Sequence, residues 1–368
     1  MIKQDILYQK SVVVFLDLLK FALWGKPLAL DKFQELKNPD WENVYRLAYF
    51  QTLDGLIAHA AQQLPSYFMP EQPMLYKMIL REQQIREKNE KMNTIISELD
   101  GLYNAEGIRP ILQKGQAVAQ YYPDPFLRVC GDIDWYFERG FPYNKAFKLM
   151  VDLKTNIHFH SGYSCGYDWK GLHVEHHQRL IQARNPWNLK FLNKLLTEEK
   201  EAFEPISSQG FQTHMPNPFL NSIMLNVHIL SHQVGYGIGL RQLCDVARLY
   251  HTQYQKLDGD RLKFVYKKLG VLAWMNKLHY TLVKYMGLRE ENLPFPLEKK
   301  SVNDWMIKDI LFAGNFAFHD PRFPDINNPM GRMNRIPRLF YSFRRYLPLA
   351  PSETVAFPII QVISKFHR

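Results

Sequence analysis

Only three cysteines, Cys130, Cys165 and Cys244, occur in the 368 residues. They are odd in number, far apart and free of any CxxC pair, which argues against a disulfide framework or a cysteine zinc site. A reducing compartment fits this usage, so a cytoplasmic location is expected. Long apolar runs are missing as well. The most apolar N-terminal stretch, Ser11 to Trp24, is interrupted by Asp17 and Lys20, whereas a membrane span needs about 20 mostly apolar residues. With charge inside it and no small-residue cleavage site after it, this stretch reads as an amphipathic core helix and not as a signal peptide. Glycine (19) and proline (22) are too few for a collagen-like or low-complexity chain.

Acid is scarce in one place. From Gly331 to Arg368 the basic residues Arg332, Arg335, Arg338, Arg344, Arg345, Lys365 and Arg368 stand against one acid, Glu353. This tail holds more than half of the net charge of +10, so the basic balance does not by itself imply nucleic-acid binding along the chain. No sequence-specific nucleic-acid partner is expected. The tail's mixture of Arg and aromatics has two readings: weak contact with an anionic surface, or packing of its Phe and Tyr on the body while Arg reaches solvent.

What is present is an ordinary globular composition, 46% apolar and 22% charged, in a chain long enough to bury its own core. Periodicity places helices over residues 1 to about 70 and one long helix from Met74 to Glu106, with a proline-rich loop between them. The texture then changes. Ile108–Lys114 is a short buried strand, QAVAQYY a short helix, and Asp132–Phe137 an alternating strand with one wet face. Asn144–Leu153 is helical, and IHFHSGYS and LHVEHHQRL are two more strands joined by SGYSCGYDWKG. Helices return after Pro218, and the chain from Phe312 onward shows little period. The expected class is α+β: a small mixed sheet with helices, embedded in N- and C-terminal helical regions. The boundaries are 1–106 (helical), 107–185 (α+β core), 186–311 (helical) and 312–368 (basic, aromatic, proline-rich tail).

The sharpest chemical signal is GDIDWYF. Asp132 and Asp134 are two apart, so on a strand they share a face. Two adjacent carboxylates repel unless a cation lies between them, and hard divalent ions take oxygen ligands of this kind. Carboxylate-held metals of this sort serve phosphoryl and nucleotidyl transfer. Glu175, in LHVEHHQRL, is the best third carboxylate, sharing its face with His173 and His177. Upstream, strand–Gly115–helix brings backbone N–H groups toward a phosphate, flanked by Lys114 and Arg128. Arg128 has a structural alternative, an ion pair with Asp124 or Asp132. No HExxH or comparable zinc spacing accompanies the histidines. His228 and His232, one turn apart, either pack between helices or wall the cleft, and Arg241 and Asp245 most simply pair across a turn.

The stretch IRPILQKGQAVAQYYPDPFLRVCGDIDWYF resembles the uncharacterised nucleotidyltransferase family of the polymerase-β-like superfamily. That pattern runs aliphatic-LKG, a short helix, Y-P-D-P, then R-x-x-x-D-I-D. VEHH and HILSHQVGYGIGLRQLCDVARLY also look like the family, so the resemblance covers about 40 to 280 and is strongest from Arg109 to Glu138. It implies a nucleotidyltransferase fold and metal, two Mg²⁺ ions, held by Asp132, Asp134 and Glu175, with His177 as a partner of Glu175. It further implies transfer of a nucleoside monophosphate from an NTP to an acceptor that is a small molecule, a sugar or a protein. Lys114, Gly115, Gln116 and Arg128 are then the phosphate-binding candidates. Gln116 stands where the wider superfamily has a serine, and residues 117–131 form a longer spacer than usual. These departures motivate an alternative, a nucleotidyltransferase-fold binding or regulatory protein.

Overall fold

The computed structural model describes residues 5–34, 36–160, 164–208, 210–298, 303–323 and 336–366. Three helices, α1 (Lys10–Trp24), α2 (Asn38–Phe50) and α3 (Asp54–Ala61), form the N-terminal layer. The 34-residue α4 (Gln72–Ala105) follows. Its buried stripe steps by four and three residues, through Met78, Glu82, Ile85, Asn89, Met92, Ile96, Leu99 and Tyr103. That spacing holds one helix face against the body for about seven turns. Its two polar members tie it to neighbouring segments: Glu82 accepts from Gln62 at the end of α3 (2.7 Å), and Asn89 Nδ2 donates to the carbonyls of Phe126 (2.7 Å) and Arg128 (2.9 Å).

The sheet has seven strands in the order β3-β4-β5-β2-β1-β7-β6: β1 (Ile111–Gln113), β2 (Ile133–Tyr136), β3 (Ile157–His160), β4 (Ser164–Trp169), β5 (Leu172–His177), β6 (Phe203–Ser208) and β7 (Phe211–Pro216). Pairs β2·β5 and β1·β7 are parallel and the others antiparallel. This is the α+β class the sequence leads one to expect, with more strands. SGYSCGYDWKG is not a connector: Ser164–Trp169 is a strand between β3 and β5, and residues 161–163 of that stretch lie outside the described residues. Strands β6 and β7 fill a stretch whose hydropathy shows no clear period.

Strand β2 has no wet face. All four of its residues are buried, because helices cover both sides of the sheet. On one side Ile133, Trp135, Val174 and His176 meet α4, where Tyr103 Oη lies 2.7 Å from Tyr167 Oη and 2.7 Å from His176 Nε2. On the other, Asp134 and Glu175 face a cleft roofed by helices α8 (Pro218–Gly235) and α9 (Leu240–Gln253). Between these layers come α5 (Gly115–Ala119), α6 (Phe141–Asp152) and α7 (Pro186–Glu198). After them follow α10 (Gly259–Lys268), α11 (Leu272–Lys284) and α12 (Trp305–Ala313).

The basic tail is more regular than its composition indicates. It forms α13 (Ile336–Tyr346) and α14 (Pro351–Phe366), both packed on α8. The buried stripe of α13 is Arg338, Ser342 and Tyr346, spaced for a helix but too polar to show in hydropathy. Arg338 is fully buried, reaching Asp309 (2.8 Å) and Asp320 (3.0 Å). On α14, the Phe357 ring lies where a Cβ on Gly235 would meet it at 2.5 Å, so only glycine lets α14 approach α8 this closely. Arg332, Arg335, Arg368 and the side chain of Lys365 lie outside the described residues. Among the described residues no helix is long and apolar enough to cross a membrane, and the three cysteines are buried and free.

Candidate active site

The parallel register of β2 on β5 sets Asp134 beside Glu175. Parallel partners project to the same face, so the two carboxylates enter one space together. His177, two residues beyond Glu175, shares that face. Its Nε2–H donates to Asp134 Oδ1 at 2.6 Å and lies 3.3 Å from Glu175 Oε2. Gln182 Nε2 donates to its Nδ1 at 3.0 Å and so orients the ring. Ligand atoms of Asp134, Glu175 and His177 all lie within 4.8 Å of one another. Asp132 stands outside that triple but lines the same cleft.

One ammonium balances these carboxylates. Lys114 Nζ is 3.2 Å from Asp134 Oδ1. Burial alone lowers the Lys114 pKa, but Asp134, Asp132 and Glu175 together raise it above its ordinary value. Asp132 titrates high because the Asp134 charge is next to it, with burial adding to the effect. For Asp134, burial raises the pKa, yet Lys114 and His177 outweigh it and hold the carboxylate well below the usual range. Glu175 follows the same pattern, with burial opposed by its hydrogen bond from His177. For His177, burial and Lys114 act downward and the two carboxylates win, leaving the imidazole above its usual pKa.

The backbone here is unusual. Lys114 has φ 54° and Gly115 φ 31°. A Cβ on Gly115 would sit 3.3 Å from the Asp132 carbonyl oxygen, so the turn into α5 passes against the entry to β2. Among the described residues six non-glycine positions have positive φ, and three of them, Thr52, Lys114 and Phe316, line this cleft. Such conformations cost about 1–3 kcal/mol each and gather at functional sites.

The cleft encloses about 450 Å³. Its floor is Gly115, Asp132, Asp134 and Glu175, and its far wall includes His228 and His232 of α8. These two histidines therefore wall the cleft. Their rings meet edge to face at 4.4 Å, and His232 meets Phe316 at 5.0 Å. Burial drives both pKa values down, that of His232 to about 3, so they are neutral imidazoles at neutral pH.

Two phosphate-binding candidates are engaged elsewhere. Arg128 meets neither Asp124 nor Asp132. Its Nε and Nη2 each donate to Asp245 at 2.7 Å, and Tyr122 Oη donates to the same carboxylate at 2.7 Å. Asp245 is thus taken by Arg128, and the expected Arg241–Asp245 pair across a turn does not form: Arg241 donates to the Val129 carbonyl instead. Gln116 turns away from the cleft, its Nε2 donating to Asn89 Oδ1 (3.2 Å) and its Oε1 accepting from Cys130 (3.2 Å). Helix α5 is also only five residues long, too short for a substantial macrodipole. Gln182, Arg184, Asn315 and Phe316 line the cleft with no sequence signal beyond their proximity in the fold.

Three carboxylates against one ammonium form a donor set of hard oxygens that suits a divalent cation. Among the described residues no other group of His, Cys, Asp and Glu side chains is gathered as closely as Asp134, Glu175 and His177. No curated protein matches the chain. Among solved structures, it is similar to an antigenic nucleotidyltransferase-like protein from Paracoccidioides brasiliensis. Identity is 14%, over 54% of this chain and 94% of that one, with a TM-score of 0.34. A family model described as uncharacterised nucleotidyltransferase matches residues 37–287, which take in every strand of the sheet and both helices that roof the cleft, and the chain belongs to that family.

Proposed function

We propose that the protein is a divalent-cation-dependent nucleotidyltransferase that moves a nucleoside monophosphate from an NTP to a hydroxyl acceptor. The observation that carries this reading is the convergence of Asp134, Glu175 and His177 on two registered strands, with Asp132 and Lys114 on the same cleft floor. Asp132, Asp134 and Glu175 are the residues that would hold Mg²⁺, two ions in the family's pattern. Bound there, the metal supplies charge neutralisation on the phosphates and activation of the incoming hydroxyl.

The chain's own residues do the rest. Lys114 offsets phosphate charge. Glu175, kept ionised by His177, accepts the proton of the acceptor hydroxyl. The acceptor oxygen forms a bond to the α-phosphorus, the bond from the α-phosphorus to the β-phosphate bridging oxygen breaks, and pyrophosphate leaves. The wall of His228, His232 and Phe316 offers a neutral, partly aromatic surface for the acceptor, a small molecule, sugar or protein side chain. As units, we propose a catalytic core beginning near residue 107 with helical regions on either side.

One observation favours the alternative, a binding module without turnover: Gln116 occupies a position where a hydroxyl is usual, and its amide is committed to Asn89. Pyrophosphate release from ATP, CTP, GTP and UTP, measured with Mg²⁺ across hydroxyl acceptors, separates the two. Release that Asp134→Asn abolishes supports the enzyme. Nucleotide binding with no release for any acceptor supports the module. For the tail, the burial of Arg338 supports packing over contact with an anionic surface; vesicle flotation with and without residues 331–368 tests it, and equal flotation excludes surface binding.

A further inference from the structure

We infer that Arg241 is a phosphate-binding residue of this cleft, the guanidinium that meets the polyphosphate of the nucleotide. This rests on the nucleotidyltransferase reading and adds to it a residue that neither the motif nor its spacing identifies. Arg241 is the second residue of α9 and lines the cleft beside Gly115 and Asp132. It is anchored by one hydrogen bond, from Nη1 to the Val129 carbonyl. Its buried Nε has no partner, and among the described residues no carboxylate pairs with it.

Its surroundings make this an incomplete arrangement. The nearest acid on its own helix, Asp245, has both oxygens gripped by the Nε–Nη2 edge of Arg128. The neighbouring guanidinium of Arg128 repels it, while Asp245 and Asp132 are within electrostatic reach but not in contact. A half-buried cation with a like charge beside it and no carboxylate in contact is costly unless an anion docks. Burial and Arg128 accordingly depress its pKa. A guanidinium carries five N–H donors in a planar fork that matches a phosphate bidentately, and among the described residues the Val129 carbonyl is the one acceptor that meets Arg241.

The other cations of the cleft are placed differently. Arg128 has no free edge, Lys114 lies against Asp134 (3.2 Å), and Arg184 donates Nε to Ser231 Oγ (2.9 Å) and lies over the Phe357 ring. Arg241 is the guanidinium next to the Gly115–Asp132 floor with donors to spare. Leu240 and Gln242, its neighbours, place the positive end of α9 at the same corner, which favours an anion there.

The test is calorimetric titration of inorganic tripolyphosphate and of ATP, each with Mg²⁺, into wild type, Arg241→Gln and Arg241→Lys. The glutamine keeps an N–H for the Val129 carbonyl and removes the charge. Arg241→Gln is expected to weaken both ligands by about tenfold or more, as loss of a charge-assisted pair does, with Arg241→Lys between it and wild type. Binding of both ligands by Arg241→Gln within about twofold of wild type overturns the inference and leaves the nucleotidyltransferase reading intact. Failure of wild type to bind ATP or tripolyphosphate overturns that reading, and the inference with it. A measurement on wild type alone guards against a variant that does not fold: tripolyphosphate should protect Arg241 from phenylglyoxal, read by peptide mass. Unchanged modification of Arg241 at saturating tripolyphosphate contradicts the assignment.

Discussion

Arg128 and Asp245, 117 residues apart in the chain, are joined by two parallel hydrogen bonds of 2.7 Å in a site from which solvent is excluded. This pair fastens α9 to the loop that leads into β2, and so sets the roof of the cleft over its floor. Removing one partner leaves a buried charge uncompensated, at a cost of about 3–5 kcal/mol. Arg128→Met should therefore lower stability in chemical denaturation by that order, and Arg128→Met/Asp245→Leu should recover a good part of it. A variant of unchanged stability that instead loses nucleotide affinity would return Arg128 to the phosphate-binding set.

Gly115 occupies a backbone conformation that an L side chain rarely takes, and an added methyl would press on the Asp132 carbonyl. Gly115→Ala should cost about 1 kcal/mol or more in stability. It should reduce turnover further, because the displaced strand entry carries Asp132. Activity equal to wild type would show that the turn does not position the carboxylates.

The tail's attachment has a predictable pH dependence. Burial pushes the Asp309 carboxyl up, but Arg338 and Arg322 outweigh it and hold it below the usual carboxylate range. With the folded value depressed, this contribution to stability is fully present above the unfolded pKa, about 4. It is lost as pH falls through the lower folded value. Amide exchange in α13 should stay slow from neutral pH to about pH 4 and rise below it, while Asp309→Asn should show fast exchange already at neutral pH. Protection of α13 that persists well below that range would place its docking energy elsewhere.

Much of this site is legible in local sequence. Asp134 and Glu175 each lie on a strand short enough for period-two reasoning, and α4 shows its stripe over about seven turns. What is not legible is long-range. Strand β4 escapes because SCGYDW carries a glycine, Gly166, where it faces Glu175, and β6 holds Pro205, which weakens a strand pattern. The partner of Arg128 could not be read from spacing, since Asp245 reaches it only through the packing of α9. Arg338 belongs to a run that composition assigns to the surface, and only Asp309 and Asp320 explain its burial.

His177 links both carboxylates, so its loss should be felt in chemistry more than in folding. His177→Gln keeps a donor toward Asp134 and should leave the fold intact while reducing turnover by about 10–100-fold, the range for a partner that orients ligating side chains. Turnover within a few-fold of wild type, measured as pyrophosphate release, would reduce His177 to a packing residue.

The central claim is that the carboxylate cluster binds a metal–nucleotide complex. Calorimetric titration of ATP, CTP, GTP and UTP, with and without Mg²⁺, into wild type and Asp132→Asn/Asp134→Asn tests it most directly. The account predicts Mg²⁺-dependent binding of at least one nucleotide that the double variant loses while its melting curve remains cooperative. Nucleotide binding that is indifferent to both Mg²⁺ and the two aspartates, or no binding of any of the four, would contradict it.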